Sequence, residues 1–382
     1  MSALAQRVID WQLRHGRHGL PWQGTRDPYR VWLSEVMLQQ TQVSTVLGYY
    51  ARFVQRFPDV QALAAAAPED VLALWSGLGY YSRARNLHRC AREVVERYGG
   101  RFPADSMTLQ QLPGIGRSTA AAIAAFCFGE RAAILDGNVK RVLARALGFE
   151  GDLGERRHEL ALWAQAQALL PERGIEAYTQ GLMDLGAQVC TRSRPRCGEC
   201  PLQRGCVALG QGRPETYPVR TRRTRRGQRR SVLLWLTQGE AIWLEQRPER
   251  GVWAGLWSLP ERGCGGRSDE RSHAQRGDRP DEGPVEWPDE WPAKSPGHSP
   301  GHSPGESPIE WPGEGAWIEP FVHVLTHLDW ELRPLRWRLP EALPAAACEG
   351  VTQGLGAGRW WSLEAALALG LPAPVRRLIR PE

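Results

Sequence analysis

Residues 112–123 read Leu-Pro-Gly-Ile-Gly-Arg-Ser-Thr-Ala-Ala-Ala-Ile, a tight glycine turn that leads directly into a helical, alanine-rich segment. Gly114 and Gly116 let backbone N–H groups approach a phosphate, and the helix that follows points its positive N-terminus at the same anion. A Gly-x-Gly turn alone is a weak signal. About twenty residues later, residues 134–141 (Ile-Leu-Asp-Gly-Asn-Val-Lys-Arg) place the acid Asp136 at the start of a basic helix. Taken alone, an Asp at the start of a helix is sufficiently explained as an N-cap.

Four cysteines fall within seventeen residues in the pattern C-x6-C-x2-C-x5-C, which favours one shared metal centre; they are Cys190, Cys197, Cys200 and Cys206. Arginine, proline and glycine interleave them and are poor core residues, which argues against buried, unlinked thiols. Disulfides are typical of short secreted chains, whereas this chain of 382 residues shows no charged-then-apolar leader and is expected in the cytoplasm. Zinc ribbons usually carry two separated C-x2-C pairs, while one pair with a flanking thiolate on each side can hold a [4Fe-4S] cluster. The spacing alone leaves both metals open.

The chain is long enough for two domains, and its hydrophobic pattern changes along its length. From about residue 4 to residue 186, apolar residues recur at helical spacing and predict an all-α half. After residue 230, short apolar runs separated by turn signals predict strands at 231–237, 241–246, 321–325 and 330–339, the first two as a hairpin. The predicted fold class is therefore multi-domain, with an all-α domain followed by an α+β domain.

Charge and composition restrict the partners of the chain. The net charge is +6, but residues 192–230 hold twelve Arg against two Glu, and seven of those Arg lie between Arg220 and Arg230. This density suits a phosphate backbone, so we expect contact with nucleic acid. No apolar run approaches the roughly eighteen residues of a membrane helix, so no membrane association is expected.

Residues 262–315 are rich in Gly, Pro, Ser and charge, including two copies of Pro-Gly-His-Ser at 296–303, and are expected to form a disordered loop. The sequence thus predicts four segments, which are a helical domain (1–189), a cysteine loop (190–212), an Arg-rich linker (213–230) and a second domain (231–382) that contains the insert 262–315.

Five motifs occur in the order seen in the endonuclease III superfamily: Trp32-Leu-Ser-Glu-Val-Met-Leu-Gln-Gln-Thr-Gln42, Gly77-Leu-Gly-Tyr-Tyr81, the glycine turn, the Asp136 helix and the four cysteines. The turn and its helices resemble a helix-hairpin-helix DNA-binding element, and the chain as a whole is similar to the MutY-type adenine DNA glycosylases. The similarity covers residues 1–212 closely and 230–382 more loosely. In this family the four cysteines carry a [4Fe-4S] cluster, so the resemblance favours iron–sulfur over zinc.

The resemblance implies that adenine mispaired with 8-oxoguanine or guanine in double-stranded DNA is extruded from the duplex and that its N-glycosidic bond is hydrolysed. Family correspondence places the general acid at Glu35 and the sugar-stabilising carboxylate at Asp136. Glu35 lies in an apolar helix, where desolvation is expected to raise its pKa and keep a proton available near neutrality. The related lyases carry a lysine just after the hairpin where this chain has Ser118, so a monofunctional glycosylase is predicted.

The family's contacts with DNA map onto further residues of this chain. Gln40 and Tyr80 match the positions that wedge into the duplex, while Arg83 and Arg85 are expected to be exposed and are candidates for backbone contacts. Other DNA contacts are expected at Gly114, Gly116, Ser118 and Lys140, the last with an ion pair as its alternative. The pocket for the extruded adenine is expected to be lined by Leu20, Trp22, Val43, Gln180 and Met183.

The second domain resembles the MutT (Nudix)-like module of this family through residues 251–260 and is expected to recognise the oxidised guanine. The REx2EE signature of nucleotide pyrophosphatases is absent, so no pyrophosphatase activity is expected. Where the family commonly has Phe-Ser-His, this chain has Leu325-Thr326-His327. Thr326 and His327 keep a hydroxyl and an imidazole for hydrogen bonds to the lesion, but the aromatic ring for stacking is missing.

These observations predict a monomeric, DNA-associated enzyme of base excision repair. One alternative is an endonuclease III-like glycosylase/lyase for oxidised pyrimidines, which Ser118 and the second domain argue against. Another is a non-catalytic iron–sulfur DNA-binding protein in which Glu35 and Asp136 are only structural.

Overall fold

The structure, a computed structural model, describes residues 2–221, 226–263, 312–353 and 355–380. The chain forms two compact units, of which the first spans Met1–Leu74 and Tyr80–Arg223 and the second spans Trp75–Gly79 and Thr224–Glu382. Across these described ranges, no helix combines the length and the apolar character that crossing a membrane requires.

The first unit is helical, in agreement with the spacing of its apolar residues. Its α-helices are α1 (Ala3–His15), α2 (Pro28–Leu38), α3 (Val43–Arg56), α4 (Val60–Ala65), α5 (Pro68–Trp75), α6 (Ser82–Tyr98), α7 (Ser106–Leu109), α8 (Arg117–Phe128), α9 (Gly137–Leu147), α10 (Arg156–Ala168), α11 (Ile175–Asp184) and α12 (Val207–Gly210). A π-helical turn follows at Leu185–Val189, and 3₁₀ turns lie at Cys197–Glu199 and Pro214–Thr216.

Helix α8 lies at the centre of the first unit. Its alanines, residues 120–122 and 124–125, are at most 2% exposed, and their small side chains let α2 and α11 pack against it. A larger core of buried side chains joins α1, α9, α10 and α11 through residues such as Val8, Leu143 and Leu182. This packing fixes α2, α8, α9 and α11 around a common space.

Two glycines allow neighbouring segments of the first unit to pack closely against each other. Gly114, in the turn before α8, has a φ of +77°, and a Cβ there would lie 2.7 Å from Cβ of Asn86 on α6. A Cβ on Gly186, in the π-helical turn, would lie 2.5 Å from Cβ of Asn138 at the start of α9. Larger residues would push the turn away from α6 and the π-helical turn away from α9.

The second unit is built on a mixed sheet. Its strands are β1 (Gly227–Gln238), β2 (Ala241–Gln246), β3 (Trp257–Ser258), β4 (Glu261–Gly263), β5 (Glu314–Trp317), β6 (Phe321–Val324), β7 (Leu328–Leu339) and β8 (Gly358–Ser362). Its helices are α13 (Ala345–Thr352), α14 (Leu363–Ala368) and α15 (Ala373–Ile379). The main strand order is β3-β2-β1-β7-β5, and β4, β6 and β8 pair with β1, β7 and β2 respectively.

Strand β1 pairs antiparallel with β2, which matches the predicted hairpin, and parallel with β7 from Gly227↔Leu328 to Gln238↔Leu339. Alternate side chains of the two long strands are buried in one core, including Val232, Leu234 and Leu335. Both long strands are therefore covered on this face.

The structure also bears on the segments at the edges of the second unit. Strand β1 begins at Gly227, inside the predicted linker 213–230, because the ladder with β7 extends that far. Earlier in the linker, the Thr221 N–H donates to Asp152 Oδ2 at 2.9 Å. The predicted loop 262–315 lies outside the described residues except for its ends, which belong partly to β4 and β5.

Candidate active site

A cavity of about 1090 Å³ opens in the first unit between the loop that follows α1, helices α2, α8 and α11, and the start of α9. Eight of the predicted site residues line it; they are Leu20, Trp22, Glu35, Val43, Ser118, Asp136, Gln180 and Met183. The structure therefore brings the two predicted catalytic carboxyl groups and the five predicted pocket positions together around one space.

Glu35 lies on α2, a helix that begins at Pro28 with Asp27 as its N-cap. Val31 and Val36, which flank it on that helix, are buried, and the Glu35 side chain is half-buried against the cavity. Burial raises the pKa of Glu35 to about 7, and the nearby charge of Asp136 acts in the same direction. Glu35 can therefore hold a proton near neutral pH.

Asp136 is the N-cap of α9, and its Oδ1 accepts a hydrogen bond from the Val139 N–H at 2.8 Å. Burial raises its pKa, while hydrogen bonds from the Val139 and Asn138 N–H groups and the charges of Arg141 and Lys140 act in the opposite direction. The same side chain lines the cavity. The Asp136 carboxyl group therefore caps α9 and also faces the cavity.

Ser118, one residue into α8, supports the segment that carries Asp136. Its Oγ accepts a hydrogen bond from the Leu135 N–H at 2.9 Å. Since Leu135 immediately precedes Asp136 and Ser118 itself lines the cavity, the hydroxyl holds the two sides of the site together.

The two predicted wedge residues lie outside the cavity lining and share an unusual backbone conformation. Gln40 has a φ of +56° and Tyr80 a φ of +49°, a region that non-glycine residues rarely adopt. Both side chains are exposed, that of Tyr80 by 46%. Strained, exposed residues of this kind are typical of functional positions.

Arg83 is buried, with 8% exposure, so the expectation that it is exposed is wrong, and this burial argues against a contact with the DNA backbone. Its Nη1 donates to the carbonyl oxygens of Val36 at 2.8 Å and Met37 at 2.9 Å, at the C-terminal end of α2. Its Nη2 donates to Thr41 Oγ1 at 3.2 Å. The guanidinium thus fixes the end of the Glu35 helix and the loop that carries Gln40.

The glycine turn and Lys140 lie on other surfaces of the first unit. Gly114 and Gly116 are exposed, and Gly116 is the N-cap of α8 without a side chain to cover the helix end. This leaves the N-terminus of α8 open to an anion. The Lys140 ammonium group, by contrast, forms an ion pair with Glu159, the alternative that the sequence had left open.

All four thiols of the cysteine segment are free and half-buried. Burial raises the pKa of Cys200 to about 11; a hydrogen bond from the Leu202 N–H acts in the opposite direction, and charges on the other three sulfurs add to the rise. Arg145, 2% exposed, donates from Nη1 to Cys190 Sγ at 3.3 Å. Within the part of the chain that the structure describes, no three His, Cys, Asp or Glu side chains converge as ligands of a metal ion.

In the second unit, Thr326 and His327 lie in the turn that joins β6 to β7, and both are exposed. The backbone fixes this turn, since the Leu325 N–H donates to the Leu328 carbonyl at 2.7 Å and the Gly227 N–H to the His327 carbonyl at 2.9 Å. Behind β6, the rings of Trp253 and Trp330 stack with centroids 4.5 Å apart.

The sequence interpretation missed two residues beside the cavity. Arg17 lines the cavity and pairs with the buried Asp184, which in turn binds the side chain of Gln180. The only local signal was the four-residue spacing of Gln180 and Asp184, which places both on one side of a helix.

Comparison with known proteins bears on both units. Residues 33–166 match the family described as HhH-GPD superfamily base excision DNA repair protein, and residues 231–380 match the NUDIX domain. These matches confirm the predicted succession of a helix-hairpin-helix glycosylase domain and a MutT/Nudix-like α+β domain.

Relatives of this chain include adenine DNA glycosylases. That of Buchnera aphidicola subsp. Acyrthosiphon pisum (strain APS) is 38% identical over 257 residues, which cover 67% of this chain and 73% of that protein. That of Rattus norvegicus is 39% identical over 312 residues, covering 68% of this chain and 60% of the relative. A solved structure of a thermostable thymine-DNA glycosylase has 28% identity and a TM-score of 0.48, covering 55% of this chain and 95% of its own. The identity to the Buchnera enzyme over 73% of its length shows that the chain belongs to the adenine DNA glycosylase family.

Proposed function

We propose that this chain is a monofunctional adenine DNA glycosylase of base excision repair that removes adenine paired with 8-oxoguanine or guanine in double-stranded DNA. The observation that supports the proposal is that the carboxyl groups of Glu35 and Asp136 line the same cavity, with the charge of Asp136 close enough to act on Glu35. We further propose that it acts as a cytoplasmic monomer.

The two carboxyl groups divide the chemistry between them. Protonated Glu35 donates its proton to a ring nitrogen of the extruded adenine, so that the base leaves as a neutral molecule when the C1′–N9 bond breaks. Ionised Asp136 stabilises the positive charge that develops on the sugar, and water then bonds to C1′ as a hydroxyl while its other proton returns to the Glu35 carboxylate. The raised pKa of Glu35 supports the first task, because its proton is retained near pH 7.

The decisive experiment is single-turnover base release from duplexes carrying adenine opposite 8-oxoguanine, guanine or thymine, with strand cleavage followed without added alkali. We expect adenine loss from the first two duplexes and intact strands. Asp136→Asn is the matched variant, because asparagine keeps an oxygen that can accept the Val139 N–H and so preserves the cap. Base release at the wild-type rate by this variant, or spontaneous nicking at oxidised pyrimidines by the wild type, would contradict the proposal.

We also propose that Cys190, Cys197, Cys200 and Cys206 hold a [4Fe-4S] cluster. Four free, half-buried thiols within seventeen residues supply the ligand type that such a cluster needs, and the buried Arg145 guanidinium offers a hydrogen bond to the Cys190 sulfur. A bound cluster would cross-link the four positions of this segment to one another. Iron and acid-labile sulfide in equal amounts are expected in the purified protein, and both should fall in Cys200→Ser; zinc in their place would refute the assignment.

For the second unit, we propose that the turn carrying Thr326 and His327 contacts the oxidised guanine. The exposure of both side chains on a backbone that is fixed by two hydrogen bonds supports this proposal. Replacing both residues by alanine is expected to reduce the preference for adenine opposite 8-oxoguanine over adenine opposite guanine. An unchanged preference would argue against a contact.

A further inference from the structure

Asp184 is a completely buried carboxylate beside the cavity that the proposed mechanism does not use. Its Oδ1 accepts from Arg17 Nη2 at 2.6 Å and from Arg17 Nε at 2.7 Å, and its Oδ2 accepts from the Arg17 backbone N–H at 2.8 Å. Burying a charged group is unfavourable unless it is paired and hydrogen-bonded, and Arg17 provides both. The carboxylate is therefore held in one orientation.

The same carboxylate also binds the side chain of Gln180, one turn earlier on α11. Gln180 Nε2 donates to Asp184 Oδ1 at 2.8 Å. An ionised carboxylate only accepts hydrogen bonds, so the amide must present its NH₂ group to Asp184 and turn its carbonyl oxygen Oε1 away. Within the described residues Oε1 accepts no hydrogen bond from the protein, and Gln180 lines the cavity.

Locking the amide changes what the cavity can recognise. A free glutamine side chain can rotate its amide by half a turn and offer either an acceptor or a donor to a base. With NH₂ engaged by Asp184, Gln180 offers the base only an acceptor. An amino group on the base would complete that bond, whereas an oxo group in its place would face the Gln180 oxygen with no proton between them.

We propose that Asp184, held by Arg17, is a positioning residue that fixes the Gln180 amide and so makes the cavity select a base with an exocyclic amino group over one with an oxo group. This inference rests on the proposed glycosylase function. Asp184 does not itself line the cavity, so it acts on the base through Gln180, which does.

The test compares single-turnover release of adenine with release of hypoxanthine, which carries an oxo group where adenine carries its amino group. In each case the base stands opposite 8-oxoguanine in the same duplex, and the ratio of the two rates is the readout. In Asp184→Asn, the amide of residue 184 can accept or donate, so Gln180 is free to turn and the ratio is expected to fall about tenfold. Gln180→Leu is expected to lower the ratio to a similar extent.

The double variant separates positioning from a general structural effect. If Asp184 acts through Gln180, adding Asp184→Asn to Gln180→Leu leaves the ratio unchanged. A general effect on folding lowers both rates by the same factor and therefore cancels in the ratio. Should Asp184→Asn fail to fold, Arg17→Gln, which removes the ion pair, is expected to lower the ratio in the same direction.

Two outcomes overturn the inference: a wild-type ratio in a folded Asp184→Asn or Arg17→Gln variant, or a further fall of the ratio when Asp184→Asn is added to Gln180→Leu. Failure of the proposed function is a different result, because the wild-type chain would then release no adenine in the same assay.

Discussion

Replacing Glu35 with glutamine should stabilise the folded chain in a pH-dependent manner while it removes the proposed general acid. Burial, assisted by the charge of Asp136, raises the pKa of Glu35 from 4.5 to about 7. The charged form is therefore disfavoured in the folded state, and the difference corresponds to about 3 kcal/mol of unfolding free energy once the group is ionised in both states. Glutamine has nearly the same shape and carries no charge.

The sign of the effect follows from the direction of the pKa change. Below pH 4.5 the group is protonated in the folded and unfolded chain, and the wild type has its full stability at this position. As the pH rises through 4.5 towards 7, the unfolded chain loses its proton first and the wild type becomes progressively less stable. Above about pH 7 the loss is complete, so the advantage of Glu35→Gln should grow by about 2.5 kcal/mol between pH 5 and pH 8.

Urea unfolding of the wild type and Glu35→Gln at pH 5 and pH 8, followed by circular dichroism, measures this difference. Glu172→Gln, a substitution of an exposed carboxylate in the same unit, is the matched control and should show no such growth. Base release should be lost only in Glu35→Gln. An equal stability difference at the two pH values would refute the reasoning, because the carboxyl group would then carry no raised pKa to keep its proton near neutrality.

Three further predictions follow from the same unit. Arg83→Ala should lower the free energy of unfolding by about 2–4 kcal/mol, since it leaves buried carbonyls at the end of α2 without their donor, whereas Arg89→Ala on the exposed side of α6 should leave thermal unfolding nearly unchanged. Gly114→Ala should reduce thermal stability and duplex affinity because of its positive φ and the Asn86 contact; Gly116, with a φ of −80° and open space around it, should accept alanine without loss of thermal stability. Ser118→Lys should give a borohydride-trapped adduct with substrate DNA that the wild type does not form, because an amine would then line the cavity; absence of the adduct would contradict the placement of residue 118.

Local sequence patterns anticipated much of the architecture. Period-3.6 spacing indicated the helical unit, and short apolar runs about Gln238-Gly239 indicated the β1–β2 hairpin, because both elements are determined by residues close together in the chain. The start of the Asp136 helix was readable for the same reason, as an N-cap acts within one turn. The resemblance to a known family added Glu35 and the five pocket positions, which local patterns alone would have assigned to the core.

Other features depended on contacts between distant parts of the chain. No local pattern pairs β1 with β7 in parallel across the intervening insert, since parallel pairing is decided by burial of both strands in a common core. Arg83 looks like a surface residue of a basic helix, and only the packing of α6 against the end of α2 gives its guanidinium buried acceptors.

The sequence by itself therefore determined the order of the two domains, the helices and strands within them, and the residue types that the chemistry needs. Tertiary structure alone decided how those residues are used. Helices α2, α8, α9 and α11 surround one cavity, in which the charge of Asp136 helps to raise the pKa of Glu35. Beside it, Arg17 and Asp184 hold the Gln180 side chain in one orientation. The physical reason is that burial and electrostatic proximity are properties of the packed chain, whereas periodicity and caps are properties of neighbouring residues.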